Sequence, residues 1–305
     1  MSGATWSLAD MPDLSGKRAV VTGPTAGIGT GTALELARAG AEVVLVGRSV
    51  DKLASTAAAI TSHVPAASLH QVRVDLSDLS SIRSGAGEIA GLGPIDLLIN
   101  NAGVMALPYA RTVDGFEMQL GTNHLGPFLL TGLLLPQLIA SGDGRVVSVA
   151  SHAHKMARRV PLDDPREQAR RYSKWGSYGE SKLADLMFVV ELERRLRAAH
   201  LPVTAQAAHP GYTATELVGK SGGFGGRFMD VATRVIGQKA ELGALPTLMA
   251  ATADLPGASY VGPSGPGEMG GLPKVVKPRR KFVHDPVAGK ALWEMSEKAT
   301  GISYP

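Results

Sequence analysis

The stretch Ala19-Val20-Val21-Thr22-Gly23-Pro24-Thr25-Ala26-Gly27-Ile28-Gly29 decides the architecture. It passes from a short β-branched run into a turn with three glycines, and then into the helical spacing of Gly29 to Ala39. In such a strand-turn-helix unit the first N–H groups of the helix converge on one point, and glycines let the backbone come close to a phosphate there. The spacing is Gly-x-x-x-Gly-x-Gly, because Thr32 stands at the third position of the commoner Gly-x-Gly-x-x-Gly.

The same alternation continues outward. Glu42 to Val46, Ser68 to Val74 and Ile95 to Ile99 are expected as strands, with Val50 to Ser62 and Leu79 to Leu92 as helices. Val43-Val44-Leu45-Val46 is apolar without a break, as a parallel strand covered on both faces should be. Farther on, Arg145 to Ala150 and Val203 to Ala208 are expected as strands, and Asn123 to Ala140 and Tyr178 to Ala199 as long helices. The pattern predicts one α/β domain of Rossmann type, a doubly wound parallel sheet of about seven strands with helices on both faces. Residues 1–14 are expected as an N-terminal arm and 15–272 as the nucleotide-binding domain. The remainder, 273–305, is expected as an extension packed on that domain, with a helix from Asp285 to Thr300.

Composition narrows the chemistry. The 305 residues include 31 Lys plus Arg against 27 Asp plus Glu, and no basic run is interleaved with aromatics, so nucleic acid is not expected as a partner. The absence of cysteine excludes disulfides, thiolate nucleophiles and Cys-ligated zinc, and fits a cytoplasmic enzyme. Met1 to Leu14 carries Asp10 and Asp13 where a signal peptide would be apolar, and Phe128 to Ile139 is too short to span a bilayer and contains Pro136, so it is expected as a buried helix.

Where a carboxylate at the end of the second strand would select NAD, this chain has Gly47-Arg48. An arginine there suits a 2′-phosphate, which predicts NADP(H) over NAD(H); a solvated Arg48 beside Asp51 is the competing reading. Asp75, with Leu76 beside it, is placed to accept from an adenine amino group or to cap the next helix.

Tyr178 and Lys182 are four apart in a helical pattern, so they share one face, one turn apart. A tyrosine ionises near pH ~10, and lowering that by roughly three units takes about 4 kcal/mol. An ammonium roughly 4 Å away at an effective dielectric of ~20 supplies about that much. Ser151, at the end of its strand, is placed to meet a substrate oxygen on which negative charge develops; Asn123 is either an N-cap or a further polar member. His152 and His154 are expected as solvated loop histidines, with no metal ligand set evident.

Taken together, these residues make the chain resemble the short-chain dehydrogenase/reductase family over nearly its whole length. The resemblance rests on Thr22 to Gly29, Asn100-Asn101-Ala102-Gly103, Asn123, Ser151, Tyr178 with Lys182, and Pro210-Gly211-Tyr212-Thr213. It implies Tyr178 as general acid/base, Ser151 as polariser of the substrate oxygen, Lys182 as ribose holder and modulator of the tyrosine, and Asn123 as support for a water relay. It further implies that Gly23, Thr25, Gly27, Ile28, Gly29, Asn101, Ala102, Gly103, Tyr178, Lys182, Pro210, Gly211 and Thr213 contact the cofactor, and Arg48, Asp75 and Leu76 are expected to do so as well.

Pro24 removes one N–H from the turn, and Ala26 stands where relatives that use NADP often carry a second basic residue. The long gap between Ser151 and Tyr178 looks like the retinol-dehydrogenase-like branch, which favours lipophilic alcohols, aldehydes and ketones. Substrate loops are expected at Val104 to Thr112, near 152–175 and near 212–227, where Met105, Leu107, Tyr109, Leu217 and Phe224 predict an apolar pocket. A homodimer or homotetramer is possible through the two long helices, and the basic cluster Lys274, Lys277, Arg279, Arg280 and Lys281 could touch an anionic membrane surface. The rival functions are a non-catalytic NADP-sensing protein of the same fold and a light-driven tetrapyrrole reductase, which would use a cysteine.

Overall fold

The computed structural model describes residues 6–157, 159, 162, 164–167, 169, 172–211 and 242–305. Strand β1 (Arg18–Thr22) enters the glycine turn, and α1 (Gly27–Arg38) leaves it. Then follow β2 (Glu42–Gly47), α2 (Val50–His63), β3 (Leu69–Arg73), α3 (Leu79–Ala90) and β4 (Leu97–Asn100). Ser49 caps α2 and Asp78 caps α3, each accepting from backbone N–H groups of the first turn. The cap of α3 is therefore Asp78, and Asp75 is released from the capping role that its sequence position allowed.

The second half contains a short turn α4 (Met118–Leu120), a π-helical turn (Gly121–Leu125), α5 (Gly126–Ala140) and β5 (Gly144–Val149). A 3-10 turn (His152–Met156) leads toward α6 (Lys174–Ala198) and β6 (Val203–Ala208). Helix α7 (242–252), β7 (Tyr260–Pro263), β8 (Pro273–Val276) and α8 (Pro286–Thr300) complete the chain.

The sheet has eight strands in the order β3-β2-β1-β4-β5-β6-β7-β8, one more than expected. Every pairing is parallel except β7 with β8, where Tyr260 faces Val276 and Pro263 faces Pro273. Two apolar layers cover the sheet. One holds Val20, Val44, Phe128, Leu183 and Trp293; the other holds Val21, Leu45, Leu36, Leu53 and Leu248. Alternate residues of a single strand, such as Val20 and Val21, thus face opposite layers, which is why β1 and β2 read as unbroken apolar runs.

The apolar segment 128–139 is a buried part of α5, and among the described residues no helix is long and apolar enough to cross a membrane. The strand order reverses between β1 and β4. In an open α/β sheet this is where a crevice opens beyond the carboxyl ends of the strands.

Candidate active site

A cleft of about 500 Å³ lies at that reversal. Its walls come from the ends of four strands: Gly23, Thr25, Gly27, Ile28 and Gly29 after β1, Arg48 after β2, Asp75 and Leu76 after β3, and Asn101, Ala102 and Gly103 after β4. All eleven of these were singled out from sequence, and the fold gathers them on one surface. Tyr178 and Lys182 of α6, and Pro210 and Gly211 at the end of β6, are not among the cleft-lining residues, and Thr213 lies outside the described residues.

The residue before α1 is Ala26, and no side chain caps that helix, so its first N–H groups face the cleft without a protein acceptor from a capping side chain. The turn is held from behind. Asn101 Nδ2 donates to the carbonyls of Thr22 (2.8 Å) and Gly23 (3.1 Å), and the Thr22 hydroxyl accepts from the N–H groups of Asn101 and Ala102, both at 3.0 Å. A Cβ on Gly29 would lie 2.2 Å from the Gly23 carbonyl oxygen and 2.4 Å from Asn101 Nδ2. Gly29→Ala is therefore expected to break the cradle, costing on the order of 3 kcal/mol. A thermal melt and an NADPH titration check this against Gly87→Ala, whose Cβ would meet nothing within 4 Å.

An uncapped helix start, a backbone cradle that any side chain would fill and a long cleft fit a dinucleotide. Arg48 is exposed and makes no ion pair among the described residues, with Asp51 or any other carboxylate. Asp75 has one carboxylate oxygen committed to the Ser77 N–H (2.9 Å) and hydroxyl (2.7 Å).

Tyr178 and Lys182 lie on the buried face of α6, which begins one turn earlier than Tyr178, at Lys174. Lys182 Nζ donates to the Val149 carbonyl and to Asp185 Oδ2, each at 2.9 Å. Burial opposes the ammonium, but Asp185 and Tyr178 outweigh it and hold Lys182 above its ordinary range. Burial pushes the Asp185 carboxyl up to about 6, against the pull of Lys182. Ser151 is buried and precedes the 3-10 turn, its hydroxyl accepting the Ala153 N–H at 3.1 Å. Gly179 allows α6 to press on that turn, since a Cβ there would come 2.6 Å from the Ala153 carbonyl oxygen. This contact brings the Tyr178 turn of α6 against the segment that follows Ser151.

Asn123 sits inside the π-helical turn and is not an N-cap. Its amide exchanges two hydrogen bonds with the backbone of Val104 (2.7 and 2.9 Å), and its Nδ2 also donates to Ser181 Oγ at 2.9 Å. A π turn widens the helix by one residue and is frequent at functional sites. Gly103 is the junction: it lines the cleft, and a Cβ there would lie 3.1 Å from Asn123 Oδ1 and 3.5 Å from Lys182 Nζ.

Comparison with known proteins accounts for this arrangement. Residues 17–162 match the family model described as short chain dehydrogenase. Human retinol dehydrogenase 13 is 38% identical over 308 aligned residues, covering 99% of this chain and 89% of that protein. The chain belongs to the short-chain dehydrogenase/reductase family. It is an oxidoreductase of the retinol-dehydrogenase-like branch. Mouse polyprenol dehydrogenase is 43% identical over 70% of this chain and 64% of its own length. Among solved structures, an uncharacterized protein from Mycobacterium paratuberculosis is 42% identical, covers 99% of this chain and superposes with a TM-score of 0.83.

Several features of this dehydrogenase were not visible in its sequence. Trp175 is 49% exposed with its ring 6.3 Å from that of Tyr178, and the Tyr109 and Tyr172 rings meet edge to face at 5.3 Å. Tyr172 also donates to the Leu107 carbonyl, which ties the insertion to the loop 104–112. Of the residues expected in an apolar pocket, Leu217 and Phe224 lie outside the described residues. Thr22, Ala26 and Val104, from the quoted turn and loop, also line the cleft, as do Met118 and Thr122 of the short helical turns after β4, which no local spacing singled out.

The two loop histidines require correction. His154 is fully buried, with Nδ1 2.7 Å from the Ser151 carbonyl, and burial lowers its pKa to about 4. His152 is partly buried, 3.0 Å from Glu268 Oε2, and His209 joins them across β7, so three potential metal donors lie within 4.8 Å of one another. Two observations oppose a metal there. Lys155 Nζ is 3.2 Å from both His152 Nε2 and Glu268 Oε2, where the cation would sit. The Gly211 N–H donates to His209 Nδ1 at 3.2 Å, so in the neutral ring Nε2 carries the proton and has no lone pair to offer.

Proposed function

We propose that this dehydrogenase interconverts a lipophilic alcohol and the corresponding aldehyde or ketone with NADP(H), Tyr178 acting as general acid/base. The observation that carries the reading is the shared wall at Gly103, which joins the nucleotide cleft to the buried Lys182 and Asn123. A dinucleotide bound along that cleft supplies the hydride donor or acceptor. The protein's own part is to orient the substrate oxygen with the Ser151 hydroxyl and to exchange its proton with the Tyr178 hydroxyl. Lys182 favours the phenolate, and Asn123 holds the loop at Val104 that closes the site.

A lipophilic substrate is supported by the exposed Trp175 beside Tyr178 and by the Tyr109–Tyr172 pair. The names of the relatives agree, since retinol and polyprenol are both apolar isoprenoid alcohols. NADP preference rests on Arg48, exposed at the cleft edge and without an ion-pair partner among the described residues. NADPH is expected to bind at least tenfold more tightly than NADH, about 1.4 kcal/mol, and Arg48→Ala is expected to erase the difference. Fluorescence titration of both cofactors measures this, followed by a panel of apolar and polar carbonyls with the preferred one. Equal binding of NADPH and NADH by the wild type refutes the cofactor preference, and turnover confined to small polar carbonyls refutes the substrate class.

A further inference from the structure

Tyr178, Lys182 and Asp185 form one stripe along α6, at the four- and three-residue spacings that place side chains above one another. Lys182 and Asp185 are both buried, with side chains 6% exposed, and share a 2.9 Å ion pair. The Val149 carbonyl takes a second Lys182 N–H, so two of the three ammonium protons are committed away from the cleft. Without Asp185 the ammonium would keep only the Val149 carbonyl as an acceptor, and its side chain would be freer to swing.

We propose that Asp185 is a positioning residue that holds Lys182 in its oriented form and sets the pH at which the Tyr178–Lys182 pair works. The proposal rests on the reading of Tyr178 as general acid/base and adds a group that does not touch substrate. Its physical content is a competition. The ammonium favours the Tyr178 phenolate, while the Asp185 carboxylate behind it opposes that phenolate, and neither charge is screened by water. Tyr178 and Asp185 are seven residues apart, roughly 10 Å along a helix axis. At that distance and an effective dielectric of ~20, one charge shifts an ionisation by about one pH unit.

The surroundings leave Lys182 as the dominant charge acting on Asp185. Of the titratable groups on elements packed against α6, His124 of the π turn and His154 of the 3-10 turn are neutral, burial holding them to about 3 and about 4. His209, at the end of β6, is likewise held to about 3. His152 and Lys155 are engaged with Glu268, the Glu117 carboxylate caps α4 by accepting from the N–H groups of Gln119 and Leu120, and Arg145 of β5 donates to the Ala250 and Ala253 carbonyls. Lys281 and His284, and Lys290, Glu294 and Lys298 of α8, are exposed, and Glu297 is partly so.

The test compares wild type with Asp185→Asn and Asp185→Ser, measuring kcat/KM for alcohol oxidation from pH 5 to 10. In both neutral variants the acid limb is expected to move to lower pH by about one unit, while Asp185→Glu keeps the wild-type limb. Cofactor affinity and melting temperature are measured alongside. An unmoved limb in either folded neutral variant overturns the proposal. So does failure of both to fold while Asp185→Glu is normal, because the residue would then be structural only. Tyr178→Phe is assayed in parallel: its full activity would defeat the underlying reading of Tyr178, whatever the Asp185 variants do.

Discussion

Tyr178→Phe is expected to lower kcat/KM by about 10³-fold or more, roughly 4 kcal/mol of transition-state stabilisation, while leaving NADPH binding within twofold. The substitution removes one hydroxyl from a buried ring and changes nothing in the cleft lining, to which Tyr178 does not contribute. What it deletes is the hydroxyl proposed to exchange its proton with the substrate oxygen, one helical turn from Lys182 on the buried face of α6. Ser181 lies on the same helix, but its hydroxyl is spent on the Tyr178 carbonyl and on Asn123. Ser151 would still polarise the oxygen, so a residual rate is expected. Steady-state kinetics with an apolar aldehyde and a parallel cofactor titration separate the two effects. Activity within tenfold of wild type would remove Tyr178 from the chemistry.

The parts of this site that were legible in the sequence are those written in local spacing. The glycine turn, Arg48 and Asn101 to Gly103 each follow a strand whose apolar run is continuous, and Asp75 follows the mixed strand Leu69–Arg73, so locating the strand locates the residue at its end. Tyr178 and Lys182 were legible for the same reason, since a four-residue spacing on a helix needs no tertiary information. The π turn was not legible. Its extra residue lies within Gly121-Thr122-Asn123-His124-Leu125, where one apolar side chain among polar ones defines no period, and helix onset was accordingly expected at Asn123. Strands β7 and β8 were missed because each has four residues and a proline at one end, too short for a period to register. His154 was expected in solvent because a polar loop flanks it, yet its burial depends on Tyr260, a residue more than one hundred positions away whose ring it meets edge to face at 5.8 Å. Asp185 was passed over for the opposite reason. A carboxylate three residues after a lysine on a helix looks like a surface pair, and only the packing of α6 turns it inward.

Acid sensitivity is the second large effect, and it comes from histidines that the chemistry does not use. His124 is fully buried between the Phe128 and Phe188 rings, with Nε2 2.8 Å from Ser296 Oγ, and burial lowers its pKa from 6.5 to about 3. A depressed histidine pKa means that the unfolded chain binds the proton more tightly than the folded one. Stability from this group is therefore complete above pH ~6.5 and is lost as pH falls through that value, by about 1.4 kcal/mol per pH unit. Carried down to the folded value, the loss is on the order of 5 kcal/mol, comparable to the whole stability of a modest domain. His209 and His154 act in the same direction. Asp185, raised to about 6, acts in the opposite one, gaining stability as pH falls from about 6 toward 3.8, but it is one group against three. Urea unfolding at intervals from pH 7.5 to 4.5 is expected to show a steep decline that begins near pH 6.5, well above the range in which ordinary carboxylates titrate. His124→Gln retains a donor for Ser296 and cannot take up the proton, so its decline should be shallower by about 1.4 kcal/mol per pH unit between pH 6 and 5. Parallel curves for the two proteins would mean that His124 is protonated in the folded state at those pH values, and that acid unfolding starts elsewhere.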